Sequence, residues 1–76
     1  FTFRNGHRLT IWRAVAGSDA DAELGTVVQI DKETFEVACG GGSLSVLEVQ
    51  PEGKRRMTAY DFVNGTRLKV GEVLGT

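Results

Sequence analysis

The 76-residue chain has few of the residues from which catalytic and metal sites are usually built. It has one cysteine, one histidine and one proline. One thiol forms no internal disulfide and holds no metal alone. Because a small domain without disulfides is typical of a reducing compartment, we predict a cytoplasmic protein. No apolar run approaches the roughly 18 residues that favour a membrane span, and no membrane partner is predicted.

The few residues that could do chemistry lack the neighbours they would need. His7 follows an Asn-Gly turn, where neither an orienting partner nor a cleft is expected. Asp19 and Asp21 alternate as in a calcium loop, but Leu24 stands where that loop requires glycine. The glycines at 40–42 lead into a predicted strand, whereas phosphate-binding loops lead into a helix. We therefore predict no catalytic residue and no metal site in these 76 residues.

Short β-branched segments separated by glycine-containing turns dominate the chain. Asn5-Gly6 is a strong hairpin signal, and apolar residues on both faces of 44–49 indicate a bulge or a strand buried on both sides. With ten glycines, the pattern favours an all-β fold with one short helix, a small OB-like β-barrel. The predicted elements are strands at 1–3, 8–15, 25–30, 34–39 and 44–49, a polar loop at 17–23, and a tail at 68–74 that returns to the sheet.

The only helix signal follows the Pro-Glu-Gly turn at 51–53. Thr58 is a good N-cap with Asp61 at the third helical position, and Met57 and Phe62 have the spacing of a hydrophobic staple. The Asn-Gly pair at 64–65 predicts a left-handed end. Strand alternation also predicts a buried cysteine, Cys39, on the face of Phe35 and Val37.

The charge is unevenly distributed although the net charge is −1. Residues 1–16 carry three arginines and no acid, residues 17–36 carry six acids and one lysine, and residues 54–76 carry five bases and two acids. If both basic ends share a face, the domain has a cationic patch; the alternative is ordinary solvated side chains.

Three cations stand directly before the predicted helix: Lys54, Arg55 and Arg56. The positive end of the helix dipole makes this placement unfavourable by roughly 0.3–1 kcal/mol per charge. An anion-binding role would explain that cost, because the first helical amides also favour anions. A solubilising turn is the alternative.

Several segments resemble one family. The most specific are Gln-Pro-Glu-Gly-Lys-Arg-Arg-Met at 50–57, preceded by Val-Leu-Glu-Val at 46–49, and Asp-Phe-Val-Asn-Gly at 61–65. The hairpin around Asn5-Gly6 and the glycine-rich tip at 40–42 add to the likeness. Together they resemble the C-terminal domain of methionyl-tRNA formyltransferase.

The resemblance implies an OB-like barrel that is not itself catalytic and that holds initiator tRNA beside an upstream catalytic domain. It implies 10-formyltetrahydrofolate as the cofactor of that upstream domain and none in this one. The catalytic Asn, His and Asp of the family belong upstream, and nothing here matches them. Contact with the tRNA phosphates is then expected through Lys54, Arg55 and Arg56, supported by Arg4, Arg8 and Arg13.

The chain is expected to be a single domain over 1–76 and, because it begins at Phe1, a fragment of a longer chain.

The sequence also leaves two other functions open. Related barrels in formyltetrahydrofolate hydrolases and dehydrogenases and in sugar-nucleotide formyltransferases need not touch RNA and could be structural or line a substrate site. A free-standing OB-like binder is less favoured because no aromatic stacking platform is evident. Trp12 and Tyr60 are available for stacking, whereas three rings are predicted to be core: Phe3, Phe35 and Phe62.

Overall fold

A computed structural model describes residues 1–17 and 22–75 of the chain. The described residues form one antiparallel sheet with a short helix. The elements are β1 Thr2–Arg4, β2 His7–Ala16, β3 Val27–Ile30, β4 Phe35–Cys39, β5 Gly42–Pro51, β6 Met57–Thr58 and α1 Ala59–Thr66. The sheet order is β1-β2-β5-β4-β3, with β6 also beside β5. No described helix has both the length and the apolar character needed to cross a membrane.

The long strand β5 organises the sheet. It pairs with β2 along one side, and with β4 and then β6 along the other. Its register with β2 shifts twice, leaving Trp12 extra on β2 and Leu47 extra on β5. Val46 and Val49 are both fully buried although an odd spacing would put them on opposite faces of a regular strand. Of the two alternatives that the sequence leaves open, a bulge or a strand buried on both sides, the structure shows the bulge.

The chain beyond the helix joins the two edges of the sheet. Leu74 donates its backbone N–H to the carbonyl of Gly25 beside β3 (2.8 Å), and Gly75 donates to the carbonyl of Phe3 in β1 (2.7 Å). The sheet is thereby curled into a small barrel, as the sequence predicts, and the predicted return of the tail to the sheet is confirmed.

The helix closes one side of the core. Ala59 and Phe62 are its buried residues, and the Phe62 ring lies 5.9 Å from the Phe35 ring, centroid to centroid. Met57 packs half-buried against the same core from β6, a two-residue strand that the sequence did not predict. The buried apolar cluster consists of Leu9, Val27, Phe35, Val46, Val49, Ala59, Phe62, Leu68 and Leu74.

One predicted helix end is confirmed and the other is wrong. The Thr58 hydroxyl accepts the backbone N–H of Asp61 at 3.1 Å, as expected of an N-cap. The helix continues through Gly65 to Thr66, and Arg67, at φ 56°, takes the left-handed position. Leu68, which follows the C-cap, lies in the core at 4% exposure, and this burial outweighs the local preference of Asn-Gly for a stop.

Removing the cap should have a moderate, measurable effect. Thr58→Ala leaves the amide of Asp61 without its hydroxyl acceptor, so the free energy of unfolding should fall by about 0.5–2 kcal/mol. Thr58→Ser keeps the oxygen and serves as the control. Urea denaturation followed by circular dichroism measures both variants. Equal midpoints for the two would show that the hydroxyl does not stabilise the helix.

Two residues predicted to be buried are exposed. Cys39 ends β4 beside a two-residue turn, where it is exposed. Phe3 is 38% exposed and packs edge-on against Phe1 rather than in the barrel. The predicted polar loop at 17–23 lies mostly outside the described residues, as do Asp19 and Asp21.

Candidate nucleic-acid interface

The first hairpin brings the N-terminal cations to the turn that follows β5. Asn5 and Gly6 both have positive φ, 52° and 81°, which is the geometry of the predicted tight turn. β2 then pairs with the end of β5, and the backbone N–H of Glu52 donates to the carbonyl of Arg8 at 2.8 Å. Residues far apart in the chain therefore meet around one pocket of about 300 Å³. The ionisable residues that line it, called the hairpin cluster below, are Arg4, His7, Arg8, Glu52 and Lys54.

Glu52 provides the negative charge of the hairpin cluster. The backbone N–H of Arg8 donates to its carboxylate at 3.3 Å, and His7 Nδ1 lies 3.4 Å from it. These two contacts, the first the stronger, hold the pKa of Glu52 below its ordinary value of 4.5. Glu52 is therefore ionised at neutral pH and offsets part of the cationic charge of the pocket.

Arg4 already pairs with a carboxylate of this domain. Its guanidinium forms two hydrogen bonds to Glu72, with Nε–Oε2 at 2.6 Å and Nη2–Oε1 at 3.2 Å. Both side chains are less than one third exposed, and the guanidinium lies 6.0 Å from the centroid of the Phe62 ring. Of the six predicted cations, Arg4 is thus the least available to a phosphate.

A second group of charges surrounds Glu48. Arg13 Nη1 lies 3.2 Å from one carboxylate oxygen and Arg56 Nε lies 3.5 Å from the other, and both arginine side chains are more than half exposed. One carboxylate between two guanidinium groups leaves a local excess of one positive charge. Arg13 and Glu48 also line a groove of about 690 Å³, together with Lys32, Glu33, Leu47, Thr58 and Tyr60.

Trp12 joins this second group, and sequence reasoning missed its place there. The Arg56 guanidinium carbon lies 5.2 Å from the centroid of its ring, and its Nε1–H donates to Gln50 Oε1 at 2.8 Å. Trp12 as a residue is nevertheless 50% exposed. We call this group the tryptophan cluster: Trp12, Arg13, Glu48, Gln50 and Arg56. Consecutive apolar residues at 11–12 and 14–15 were the available signal, because such pairs break strand alternation and mark a bulge.

Lys54 and Arg55 complete the surface. Both are exposed, and neither side chain makes an ion pair with any residue in the described ranges. Gln50 connects the two clusters, since its Nε2 donates to the carbonyl of Lys54 at 3.0 Å while its Oε1 holds Trp12. Except for Arg55, the predicted cations are therefore brought into two neighbouring clusters. Within 1–17 and 22–75, no group of three or more His, Cys, Asp or Glu side chains could hold a metal ion.

Comparison with known proteins places this arrangement in a family. The sequence model described as "Formyl transferase, C-terminal domain" matches residues 1–67. The chain belongs to the formyl transferase C-terminal domain family. The match covers all the described strands and the helix, and it includes every member of both clusters. It confirms the resemblance drawn from residues 50–57 and 61–65.

Relatives of this formyl transferase C-terminal domain are similar over most of its length. A methionyl-tRNA formyltransferase of Symbiobacterium thermophilum is 54% identical over 67 residues, 84% of this chain and 21% of the relative. One of Bacillus subtilis is 43% identical over 77 residues, 99% of this chain and 24% of the relative. One of Lachnospira eligens is 43% identical over 81 residues, 99% of this chain and 26% of the relative. The chain thus spans about a quarter of the length of the curated relatives it matches.

Proposed function

We propose that this domain is the non-catalytic, tRNA-binding part of a methionyl-tRNA formyltransferase. It would hold initiator Met-tRNA by its phosphate backbone while an upstream domain of the same chain transfers the formyl group from 10-formyltetrahydrofolate, a step of translation initiation in the cytoplasm. The names of the relatives supply the enzyme class. The observation that carries the RNA-binding role is the turn with Lys54 and Arg55, whose charges have no ionic partner among the described residues.

The expected contributions of the cations differ because their present partners differ. Lys54 and Arg55 give up no ion pair when a phosphate approaches. Arg13 and Arg56 share the carboxylate of Glu48 and must weaken that contact. Arg4 would have to leave a two-point contact with Glu72. The turn should therefore contribute most to binding, and Arg4 least.

The net charge of −1 limits how such a surface can act. A strongly basic domain attracts nucleic acid over long distances, whereas the acids at 17–36 oppose that attraction here. Binding should therefore depend on short-range contact between individual cations and phosphates. Such contacts fix the position of the tRNA more than they select its sequence.

The test is a salt titration of tRNA binding by the full-length enzyme. Lys54→Ala with Arg55→Ala should weaken binding on the order of tenfold, because two charge-assisted contacts are lost. The slope of log affinity against log salt should also become shallower by roughly two units. The control pair Arg67→Asn with Lys69→Ala removes the same charge outside both clusters and should change neither quantity.

The two double variants separate the proposal from a general charge effect. If Lys54→Ala with Arg55→Ala leaves affinity and slope unchanged, the turn does not touch RNA. The barrel of a formyltransferase-type enzyme with another formyl acceptor then becomes the better description. If both pairs weaken binding equally, net charge and not this surface is responsible.

A further inference from the structure

We propose that Trp12 is a stacking platform for an unpaired base of the bound tRNA. This inference rests on the proposed function, and it adds contact with a base to the contacts with phosphates. Trp12 is the chain's only tryptophan and half of its surface is exposed. Aromatic rings that bind single-stranded nucleotides stack on the flat faces of the bases.

The ring of Trp12 is held in a fixed orientation although it lies at the surface. Its indole N–H is bound to Gln50, and the other end of that amide is bound to the carbonyl of Lys54. The guanidinium of Arg56 lies over the ring and is itself held by Glu48. A ring fixed in this way loses little conformational freedom when a base stacks on it, so more of the stacking free energy appears as affinity.

The bulge explains why Trp12 faces outward at all. It is the extra residue of β2 where the register with β5 shifts. Trp12 and Arg13 are consecutive and both exposed, which regular alternation would not produce. The bulge therefore presents an aromatic ring and a cation side by side, as a base and its phosphate require.

The charges around Trp12 favour RNA over a protein surface as the partner. Arg56 lies over the ring, Arg13 follows Trp12 in the chain and pairs with Glu48, and Lys54 with Arg55 precede Arg56 in the same turn. Protein interfaces are enriched in aromatic residues and Arg but depleted in Lys, whereas here Lys54 stands with three arginines near the single carboxylate of Glu48. An aromatic ring beside an excess of cations is the composition of single-strand nucleic-acid sites. The neighbouring groove of about 690 Å³, which Arg13 and Glu48 line, leaves room beside the platform for the adjoining nucleotide.

The cation–π contact with Arg56 could instead only stabilise the bulge in β2, with no role in RNA binding. The test must separate these two roles. We use the full-length enzyme and initiator tRNA at several salt concentrations. Trp12→Ala should weaken binding roughly 5- to 100-fold without changing the salt slope, because stacking neutralises no phosphate. Trp12→Phe retains a ring and should lose clearly less affinity.

Val70→Ala is the control. Val70 is 59% exposed, close to the 50% of Trp12, and lies beyond the helix, outside both clusters and outside the groove. Its removal should leave tRNA affinity within about twofold, well below the change expected from a lost stacked base. Circular dichroism and the urea midpoint of each variant confirm that affinity is compared between folded proteins. Quenching of tryptophan emission on tRNA binding should be smaller in Trp12→Phe than in the wild type.

Three results would overturn the platform. These are unchanged affinity in Trp12→Ala, a loss in Trp12→Phe as large as in Trp12→Ala, or a slope reduced as in the Lys54→Ala with Arg55→Ala variant. The first two remove stacking as the cause, and the third assigns the effect to Arg56. Failure of the proposed function looks different, because the Lys54→Ala with Arg55→Ala variant would then bind tRNA normally.

Discussion

Phe62→Ala should lower the free energy of unfolding by about 3–5 kcal/mol. Phe62 is 2% exposed and packs against Phe35 in the centre of the core. It is also one of two buried residues on an eight-residue helix, which is too short to persist without packing on the sheet. The substitution should therefore create a cavity and release the helix together.

Urea denaturation at equilibrium measures this loss, with Tyr60→Ala as the control on the same helix. Tyr60 is exposed, so its removal should change the free energy of unfolding by less than about 0.5 kcal/mol. Because small domains have only about 5–15 kcal/mol of stability in total, Phe62→Ala should remain folded only at low urea. Similar midpoints for the two variants would show that Phe62 does not anchor the helix.

Gly25→Ala should lower the free energy of unfolding by about 2–4 kcal/mol. Gly25 has φ +91°, where a side chain is strained, and an added Cβ would collide with the backbone carbonyl of Leu74. Gly25 and Leu74 also share the 2.8 Å hydrogen bond that attaches the tail to the sheet. The strain and the lost bond act on the same junction.

Gly41→Ala isolates the effect of that junction. Gly41 has nearly the same φ, +90°, but nothing lies within 4 Å of an added Cβ. The conformational strain is thus matched, and the difference in unfolding free energy between the two variants measures the closure of the barrel. Hydrogen exchange at the amide of Leu74 should quicken in Gly25→Ala and not in Gly41→Ala. Equal destabilisation would mean that the tail contributes nothing to stability.

Local patterns allowed much of the fold to be predicted from the sequence. The Asn5-Gly6 turn, the Thr58 cap and the bulge in β5 each depend on residues within a few positions of one another, and all three are present. The end of the helix could not be predicted in this way. It depends on Leu68 reaching a core that many distant residues form.

The candidate site was predictable by residue type but not by arrangement. A run of cations at 54–56 is visible in the sequence, whereas the pairing of Arg4 with Glu72 joins residues 68 positions apart. Trp12 in β2 meets Arg56, in the segment between β5 and β6, although the two lie far apart in the chain. Neither pairing has a local signature, so sequence reasoning could not tell which cations are already occupied.

The hydrogen bond between Gly75 and Phe3 has a consequence for the order of folding. It joins the first strand to a residue 72 positions later, among the longest-range contacts in the described chain. During synthesis, the outer edge of β1 and the start of β3 therefore stay unpaired until the tail emerges from the ribosome. Unpaired edges are templates for association with other chains. The interval before Gly75 is made is thus when this domain is most exposed to aggregation.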